Sequence, residues 1–466
     1  MDREMLNNLE KKLKDIVGKE YVLIGKDVIE IYLHDETPPG ICPKPAEHVV
    51  VVKPGSVQEI SDVLKLANEL KVPVFPRGAG TGLVGGAIPT KDGIVISLER
   101  LNKILEIDTE NMMAVVEAGV PFSVLNREAK KYGLWFPPHP GEEGAQMGGI
   151  TACNAGGVRC ITYGVIRDYV KGLEVVLPTG EILTLGGKIY KDVTGYSLLH
   201  LLIGSGGTLG IITKVIVRLY PKPKTMASII VGYADRRKAL ETVPAILREN
   251  ITPLAIEYME RNLVELSAER IGRRWPMSTG DFFLYIIVTA DSEKDAYVTA
   301  DTIFEICEKY HCLDGLIETN IIKQEDLLAI RGNLYTAIKD ATIDLLDISL
   351  PRTNLAKLLD KLEDIGKKYN AYIPFFGHAG DGNLHLFILD ENNGGPKKED
   401  REKLLEEIYY LNKELGGVVS GEHGVGKTHA EIFAKFAPKE QVELMKKIKK
   451  VFDPNNILNP SCIIPE

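Results

Sequence analysis

Pro76-Arg77-Gly78-Ala79-Gly80-Thr81-Gly82-Leu83-Val84-Gly85-Gly86 is the stretch that most clearly indicates the fold of this chain. It follows residues 72–75, which have the pattern of a short β-strand. Glycines allow backbone N–H groups to approach a phosphate without a Cβ in the way. The spacing differs from the Gly-x-Gly-x-x-Gly motif that opens a helix in dinucleotide-binding folds. By itself, the stretch is equally consistent with a phosphate site and with a tight, empty turn.

The segments around this loop predict an α/β domain. Residues 49–52 are four valines, which is typical of a buried strand. Ser56 and Glu59 then have the spacing of a capping box, and apolar residues follow at helical intervals. Together with the strand before the glycines they form a βαβ unit. Further strands are expected at residues 93–98, 112–118, 173–177 and 181–185.

Two more glycine clusters follow in the same domain. The first is Pro140-Gly141-Glu142-Glu143-Gly144-Ala145-Gln146-Met147-Gly148-Gly149, which leads into Asn154-Ala155-Gly156-Gly157. The second is Gly204-Ser205-Gly206-Gly207-Thr208-Leu209-Gly210. Three separated clusters in one α/β domain predict a long ligand that is contacted along its length. An extended dinucleotide fits this pattern better than a mononucleotide.

The second half of the chain repeats strands and helices without a glycine-rich phosphate loop. Strands are expected at residues 228–231, 282–288, 345–350 and 384–389, and helices at residues 236–248, 295–310, 355–369 and 404–415. This order fits an antiparallel sheet that is covered by helices on one face. The C-terminal segment is also expected to be helical.

Two short segments near the C-terminus carry the side chains best suited to catalysis. They are Gly377-His378-Ala379-Gly380-Asp381-Gly382-Asn383-Leu384-His385 and Ser420-Gly421-Glu422-His423-Gly424-Val425-Gly426. A lone histidine is usually structural, but this set lies among glycines, and two His with one Glu suit Zn²⁺, Fe²⁺ or Mn²⁺. The third imidazole is left to move a proton. We expect His423 to point away from Glu422.

Composition narrows the class of protein. The net charge of −9 argues against general nucleic-acid binding, and no apolar run is long enough to span a bilayer. The N-terminus has the pattern of a charged amphipathic helix rather than a secretory signal, which favours the cytoplasm. The six cysteines contain no Cys-x-x-Cys, so an iron–sulfur cluster within this chain is not expected. We expect the cysteines to be reduced and mostly buried.

The order of these motifs resembles the FAD-linked oxidases of the vanillyl-alcohol-oxidase superfamily, within them the branch of D-lactate dehydrogenase, glycolate oxidase and D-2-hydroxyglutarate dehydrogenase. The resemblance implies an α+β fold. It comprises a two-subdomain FAD-binding α/β domain, a ferredoxin-like antiparallel-sheet substrate (cap) domain and a C-terminal helical segment. The expected units are residues 1–45 (an N-terminal helical segment), 46–222 (FAD-binding), 223–415 (cap) and 416–466 (C-terminal). The segments that carry the resemblance are residues 76–86, 148–157, 163–168, 204–210, 378–385, 422–426 and 452–460.

The resemblance implies FAD as the cofactor. Residues 78–82 contain no His, at the place where some relatives tether the flavin, so we expect noncovalent FAD. The residues expected on the FAD are Pro76, Arg77, Gly78, Ala79, Gly80, Thr81, Gly82, Pro140, Gly144, Gly148, Gly149, Cys153, Gly156, Ile212 and Asn459.

The resemblance also assigns roles at the catalytic segments. It places one divalent metal on His378, His385 and Glu422. It makes His423 the base in a hydride transfer to the flavin N5, and Arg331 the residue that grips the substrate carboxylate. The residues expected to contact substrate are Arg331, Tyr335 and Asn383.

The substrate and the electron acceptor are less closely determined. The 2-hydroxyglutarate enzymes have a Lys where this chain has Leu345, so a small monocarboxylate is favoured, D-lactate first and glycolate next. Lys339 is an alternative source of the missing positive charge. We expect a soluble external acceptor, either electron-transferring flavoprotein or an iron–sulfur subunit. Two alternatives stay open: a noncatalytic flavin-binding electron-transfer subunit, and an aerobic oxidase that makes hydrogen peroxide.

Overall fold

The first sheet is built around the valine run and the glycine-rich stretch. A computed structural model describes residues 3–249 and 251–465. Strands β2, β4 and β3 run parallel, and β1 joins antiparallel to β2 at one edge. Ser56 Oγ accepts the backbone N–H of Glu59 and begins α3, which confirms that half of the capping box. The elements are α1 (Arg3–Val17), β1 (Val22–Leu23), α2 (Lys26–Ile29), β2 (Val49–Val52), α3 (Val57–Leu70), β3 (Val74–Arg77) and β4 (Gly93–Ser97).

A second, antiparallel sheet completes the N-terminal half. Its order is β5-β6-β10-β8-β9, and the predicted hairpin around residues 178–180 is the β8–β9 pair. The elements are β5 (Ile104–Asp108), β6 (Met113–Glu117), α4 (Phe122–Lys130), β7 (Leu134–Trp135), α5 (Met147–Cys153), α6 (Cys160–Tyr163), α7 (Ile166–Tyr169), β8 (Val170–Val176), β9 (Ile182–Gly186), α8 (Leu198–Leu202), β10 (Ile211–Arg218) and β11 (Tyr220–Pro221).

The C-terminal half contains a seven-stranded antiparallel sheet of order β15-β12-β14-β13-β17-β18-β16. Its elements are β12 (Thr225–Tyr233), α9 (Arg236–Arg248), β13 (Ala255–Glu260), α10 (Arg261–Arg270), β14 (Phe282–Ala290), α11 (Glu293–Lys309), β15 (Asp314–Glu318), α12 (Ile321–Gly332), α13 (Leu334–Ile338), β16 (Thr342–Ser349), α14 (Leu355–Tyr369), β17 (Phe375–His378), β18 (Asn383–Leu389) and α15 (Arg401–Glu414). Two further helices follow, α16 (Ala430–Phe436) and α17 (Lys439–Phe452). The predicted α+β architecture is confirmed.

The expectation that helices cover one face of this sheet is wrong. Along β14, Leu284 and Ile286 pack with helices α9, α11 and α14, whereas Phe283 and Tyr285 pack with α10, α12 and α13. Successive strand residues point to opposite faces, so a strand that is apolar at every position must be covered on both sides. The second face adjoins the N-terminal half through Trp135 and encloses the candidate site.

Three other expectations are settled in part or stay open. In the described residues no helix has both the length and the apolarity that a bilayer crossing needs. All six cysteines are free thiols as expected, but only Cys307 and Cys462 are buried and Cys153 is exposed. The four-part division of the chain stays a prediction, to which the structure adds that the N-terminal segment contributes β1 to the first sheet.

Candidate active site

The β17–β18 hairpin brings two of the predicted metal ligands together. His378 ends β17 and His385 lies in β18, and their ring centroids are 5.4 Å apart. Between them Gly382 has φ +90°, and a Cβ there would lie 2.2 Å from the carbonyl oxygen of Leu350. The tight turn therefore requires glycine.

The turn at residues 420–423 is held by a buried carboxylate that the sequence analysis did not identify. Asp347 Oδ2 accepts hydrogen bonds from Ser420 Oγ at 2.7 Å and from the backbone N–H groups of residues 421, 422 and 423 at 2.9, 2.8 and 2.8 Å. Asn383 Nδ2 donates to Asp347 Oδ1 at 2.8 Å. One side chain of β16 thus fixes both catalytic segments.

This turn also corrects the orientation expected for His423. Its Nε2 lies 3.6 Å from Glu422 Oε1, and its ring stacks on His385 with centroids 4.7 Å apart. Neighbouring side chains diverge on an extended strand, but here the backbone wraps around Asp347 and directs both inward. His423 therefore faces the same space as the predicted metal ligands.

The spacing of the donor atoms suits a metal ion. Glu422 Oε1 lies 3.2 Å from His378 Nε2 and 3.3 Å from His385 Nε2. Metal–ligand bonds of about 2.0–2.1 Å in a tetrahedral site imply a ligand–ligand spacing of about 3.4 Å. These residues fit a divalent metal such as zinc. Asp347, His385 and His423 also lie close enough to be metal ligands, but the Asp347 carboxylate already accepts hydrogen bonds from the turn.

A second buried carboxylate, Glu257 of β13, orients His378. Its Oε1 lies 2.7 Å from His378 Nδ1, and its Oε2 is 2.6 Å from both Nε and Nη2 of Arg331. When Nδ1–H donates to Glu257, the lone pair of Nε2 is left facing Glu422, as a metal-binding imidazole requires. The Nε and Nη2 groups of Arg331 are therefore already engaged with Glu257.

Burial and neighbouring charges shift the pKa values of the side chains in this cluster in opposite directions. Burial favours neutral Glu422, but the His378 imidazole outweighs it and holds the pKa of Glu422 well below its usual range. Burial also lowers the pKa of His378, yet Glu257 and Glu422 raise it well above its ordinary value. For His423 burial prevails over the charge of Asp347, so its pKa is lowered and the imidazole is neutral near pH 7.

The residues predicted to contact substrate have different neighbours around this cluster. Arg331 lies over the ring of Phe376 at 5.5 Å, and Tyr335 stacks on Phe387 with centroids 5.9 Å apart. The amide of Asn383 is buried and donates to Asp347 and to the carbonyl oxygen of residue 348. Lys339, the alternative cation, forms an ion pair with Glu36.

The three glycine clusters, which contain most of the residues predicted to contact FAD, adjoin one another and form a cradle. A Cβ on Gly207 would lie 2.7 Å from Pro76, and one on Gly78 would lie 3.8 Å from the Cα of Gly149, so the three glycine clusters adjoin. Asn459 Nδ2 donates to the carbonyl oxygens of residues 86 and 206, which links the C-terminal segment to two of the clusters.

This cradle fits an extended, polar ligand such as FAD. Within residues 3–249 and 251–465, the backbone N–H groups of residues 78–82 and 141–144 donate no hydrogen bond. A Cβ on Gly144 or Gly149 would meet nothing within 4 Å. Gln146 Oε1 and Ser205 Oγ are buried without a partner. Buried polar groups normally have partners, so these two side chains, beside solvent-accessible backbone N–H groups that a ligand can reach, indicate a ligand site.

The cradle meets the histidine cluster at α5 and the loop that follows it. Cys153 Sγ lies 3.5 Å from the carbonyl oxygens of Glu422 and His423. A Cβ on Gly156 would lie 2.6 Å from Glu422 Oε2. Ile212, in contrast, is buried within the core of the second sheet. Arg77 directs its guanidinium to the carbonyl oxygens of residues 31 and 34.

Asp347 and Glu257 were missed, although the sequence contains a signal for each. Each carboxylate interrupts a run of apolar strand residues, in Leu345-Leu346-Asp347-Ile348 and in Ala255-Ile256-Glu257-Tyr258. A charge inside a buried strand requires a partner, so such a residue is a candidate for a functional site.

A glycine-rich cradle that fits a dinucleotide, beside a cluster of imidazoles and carboxylates, suits a flavin-dependent oxidoreductase, and comparisons with known proteins agree. The FAD binding domain profile matches residues 49–186, and the profile of the C-terminal domain of FAD linked oxidases matches residues 222–463. The chain is 41% identical over 437 residues to D-lactate dehydrogenase of Archaeoglobus fulgidus, covering 93% of this chain and 96% of that one. It is 37% identical over 442 residues to glycolate oxidase subunit GlcD of Bacillus subtilis, covering 92% and 91%.

Solved structures show the same fold. The structure of p-cresol methylhydroxylase with substrate bound superposes with a TM-score of 0.80 at 19% identity, covering 100% of this chain and 98% of that one. The chain belongs to the FAD-linked oxidase family. It is an FAD-linked oxidoreductase of the D-lactate dehydrogenase and glycolate oxidase type.

Proposed function

We propose that this protein is an FAD- and divalent-metal-dependent dehydrogenase that oxidises a small D-2-hydroxyacid to the 2-oxoacid. D-lactate is the preferred candidate and glycolate the next. The observation that carries the proposal is the convergence of His378, His385, Glu422 and His423 beside the glycine cradle.

Oxidation of a secondary alcohol removes a proton from oxygen and a hydride from carbon. FAD, when bound in the cradle, supplies the acceptor for the hydride. A divalent metal held by His378, His385 and Glu422 would polarise the hydroxyl oxygen. His423 is the proposed base, because its imidazole faces the same space and is neutral near pH 7. Asp347 and Glu257 keep these side chains in place.

The size of the proposed substrate follows from the charges around Arg331. Leu345 is buried in an apolar cluster, and Lys339 is already paired with Glu36. Leu345 carries no charge and the charge of Lys339 is compensated by Glu36, so neither residue offers a free cation for a second carboxylate. This favours a monocarboxylate over 2-hydroxyglutarate as the substrate.

We further propose that the electrons pass to an external protein in the cytoplasm, either electron-transferring flavoprotein or an iron–sulfur subunit. The presence of a complete histidine cluster favours this function over a noncatalytic flavin-binding subunit.

The test is anaerobic mixing of the FAD-loaded, metal-loaded protein with D- and L-lactate, glycolate and D-2-hydroxyglutarate. We expect D-lactate to bleach the flavin absorbance fastest and L-lactate to leave it unchanged. His423→Ala should retain yellow, folded protein but slow bleaching by about 100-fold or more. His48→Ala, at an exposed histidine remote from the cluster, should behave as the wild type.

Metal dependence is tested in the same assay. Treatment with a chelator should abolish bleaching while FAD stays bound, and added Zn²⁺ or Mn²⁺ should restore it. Full activity after verified metal removal would refute the metal role. Absence of bleaching by every hydroxyacid in the panel would refute the proposed reaction.

A further inference from the structure

Asp35 is a carboxylate of the N-terminal segment that has one unpaired oxygen. Oδ1 accepts the backbone N–H of Thr37 at 3.2 Å, whereas Oδ2 is buried and has no hydrogen-bond partner among residues 3–249 and 251–465. Burial raises the pKa of Asp35, although Thr37, Ala87 and Arg77 act in the opposite direction. A buried carboxylate oxygen without a donor costs free energy, so this group requires an explanation.

Asp35 lies directly against the first glycine cluster, residues 76–86. The backbone N–H of Glu36 donates to the carbonyl oxygen of Gly82 at 2.9 Å, and the N–H of Gly85 donates to Thr37 Oγ1 at 2.6 Å. A Cβ on Gly82 would lie 3.9 Å from Asp35 Oδ2 and, apart from its chain neighbours, would meet nothing else within 4 Å among the described residues. Gly82 is exposed, so Oδ2 borders the open space above the loop.

The neighbouring cation does not supply the missing partner. The charge of Arg77 lowers the pKa of Asp35, but its guanidinium donates to the carbonyl oxygens of residues 31 and 34, both at 2.7 Å. Oδ2 is therefore left for a donor that approaches through the cradle.

A second unpaired oxygen flanks the same loop. Gln146 Oε1 is buried without a partner and would lie 3.4 Å from a Cβ on Gly78. Between these two side chains, the backbone N–H groups of residues 78–82 donate no hydrogen bond within the described part of the chain. The loop thus combines N–H donors, which suit a phosphate, with acceptors, which suit hydroxyl or amine groups. FAD contains both a pyrophosphate and O–H and N–H donors.

We propose that Asp35 binds FAD by accepting a hydrogen bond from one of its O–H or N–H groups. A carboxylate repels the pyrophosphate, but it is the acceptor that takes ribose hydroxyls in other dinucleotide sites. The inference goes beyond the proposed function, because it depends on the cofactor and not on the hydroxyacid. Residues 1–48 lie outside both matching family profiles, so this contact adds the N-terminal segment to the cofactor site.

The test uses the full chain freed of FAD and then titrated with FAD while flavin fluorescence is measured. Asp35→Asn keeps the shape, but its oxygen stays on the N–H of Thr37 and its NH₂ meets another donor. We expect the dissociation constant of FAD to rise by about 10- to 100-fold, the effect of one lost hydrogen bond to a charged group. Asp27→Asn, at an exposed aspartate of the same segment, should bind FAD as the wild type does. The same titration with FMN locates the donor, since a loss for both ligands places it in the flavin half and a loss for FAD alone places it in the AMP half.

Thermal unfolding of the FAD-free protein separates binding from a structural role. A buried carboxylate that lacks its ligand destabilises the free protein, so Asp35→Asn should raise its unfolding temperature by about 1–2 °C. FAD affinity unchanged in Asp35→Asn would overturn the proposal. A lower unfolding temperature together with weaker FAD binding would also overturn it, because Asp35 would then serve only to shape the loop. Neither measurement needs turnover, so both judge Asp35 even if no hydroxyacid reduces the flavin.

Discussion

At the scale of single residues, the buried glutamates and aspartates of the cap sheet are compensated in different ways. Burial would raise the pKa of Glu257, but Arg331 and His378 lower it. Asp347 accepts hydrogen bonds from the turn at residues 420–423. Among the described residues, Glu260 accepts side-chain hydrogen bonds from the hydroxyl groups of Tyr258 and Tyr372 alone, and burial raises its pKa to about 7.

Glu260 therefore makes stability depend on pH. Below about pH 4.5 the side chain is protonated in both the folded and the unfolded state. As the pH rises from there through 7, the unfolded state loses the proton first, so the free energy of unfolding falls. One pKa unit corresponds to about 1.4 kcal/mol, so Glu260→Gln should gain up to about 3 kcal/mol over wild type between pH 4.5 and pH 8. Urea unfolding at both pH values measures this difference.

The control for this measurement is Glu269→Gln, at an exposed glutamate of the neighbouring helix. It should change the free energy of unfolding equally little at both pH values. A difference between Glu260→Gln and wild type that does not grow with pH would show that Glu260 is ionised in the folded protein.

The sequence predicted the chemical types of the site residues better than it predicted their contacts. The donor types of His378, His385, Glu422 and His423 suggested a metal and a base before any fold was known. The partners of those side chains were not predicted, because nothing local connects Asp347 with a turn more than 70 residues later.

At the scale of elements, the periodicity of apolar residues predicted the bounds of the helices more accurately than those of the strands. Helices α9 and α14 begin and end where the sequence predicts, and Asp235 accepts the N–H of Arg237 at 2.8 Å to begin the first of them. Strand β13 was not predicted, because its two glutamates in six residues disfavour a strand. Glu257 is stabilised by Arg331 and His378 from other elements, and Glu260 accepts hydrogen bonds from Tyr258 of the same strand and from Tyr372.

The docking of the turn at residues 420–423 onto β16 yields a second prediction. Asp347→Asn keeps the shape but removes the charge. If its oxygen faces the turn, its NH₂ faces the NH₂ of Asn383, and two donors oppose each other. We expect a loss of about 1–3 kcal/mol in stability, together with weaker metal retention. Metal content after dialysis and thermal unfolding measure the two effects.

Asp344→Asn is the matched control, since Asp344 is a buried carboxylate of the same strand that pairs with Arg401 and His429 instead. It should lose stability while retaining the metal. Equal metal retention in the two variants would contradict the role given to Asp347.

At the scale of the whole molecule, the C-terminal segment closes the cofactor cradle. Asn459 Nδ2 bridges two glycine clusters, and its Oδ1 accepts from Lys427 Nζ at 2.7 Å. Asn459→Ala should weaken FAD binding by about 10-fold or more, since several buried hydrogen bonds are lost at once. Flavin fluorescence during dilution measures the release of FAD.

Asn455→Ala provides the comparison, because Asn455 is an exposed neighbour whose side chain, within the described part of the chain, bonds Asn68 alone. FAD affinity should be unchanged in that variant. If Asn459→Ala binds FAD as tightly as Asn455→Ala, the C-terminal segment has no part in cofactor retention.

The sequence by itself determined the kinds of element, the glycine-rich clusters and the imidazole and carboxylate side chains that we propose as metal ligands. These depend on local periodicity, on backbone freedom and on side-chain chemistry. Only the tertiary structure decided that His423 faces Glu422, that Arg331 pairs with Glu257 and that Asp347 holds the turn at residues 420–423. Electrostatic partners are selected by sheet topology, which joins residues dozens to hundreds of positions apart, and no local pattern encodes that choice.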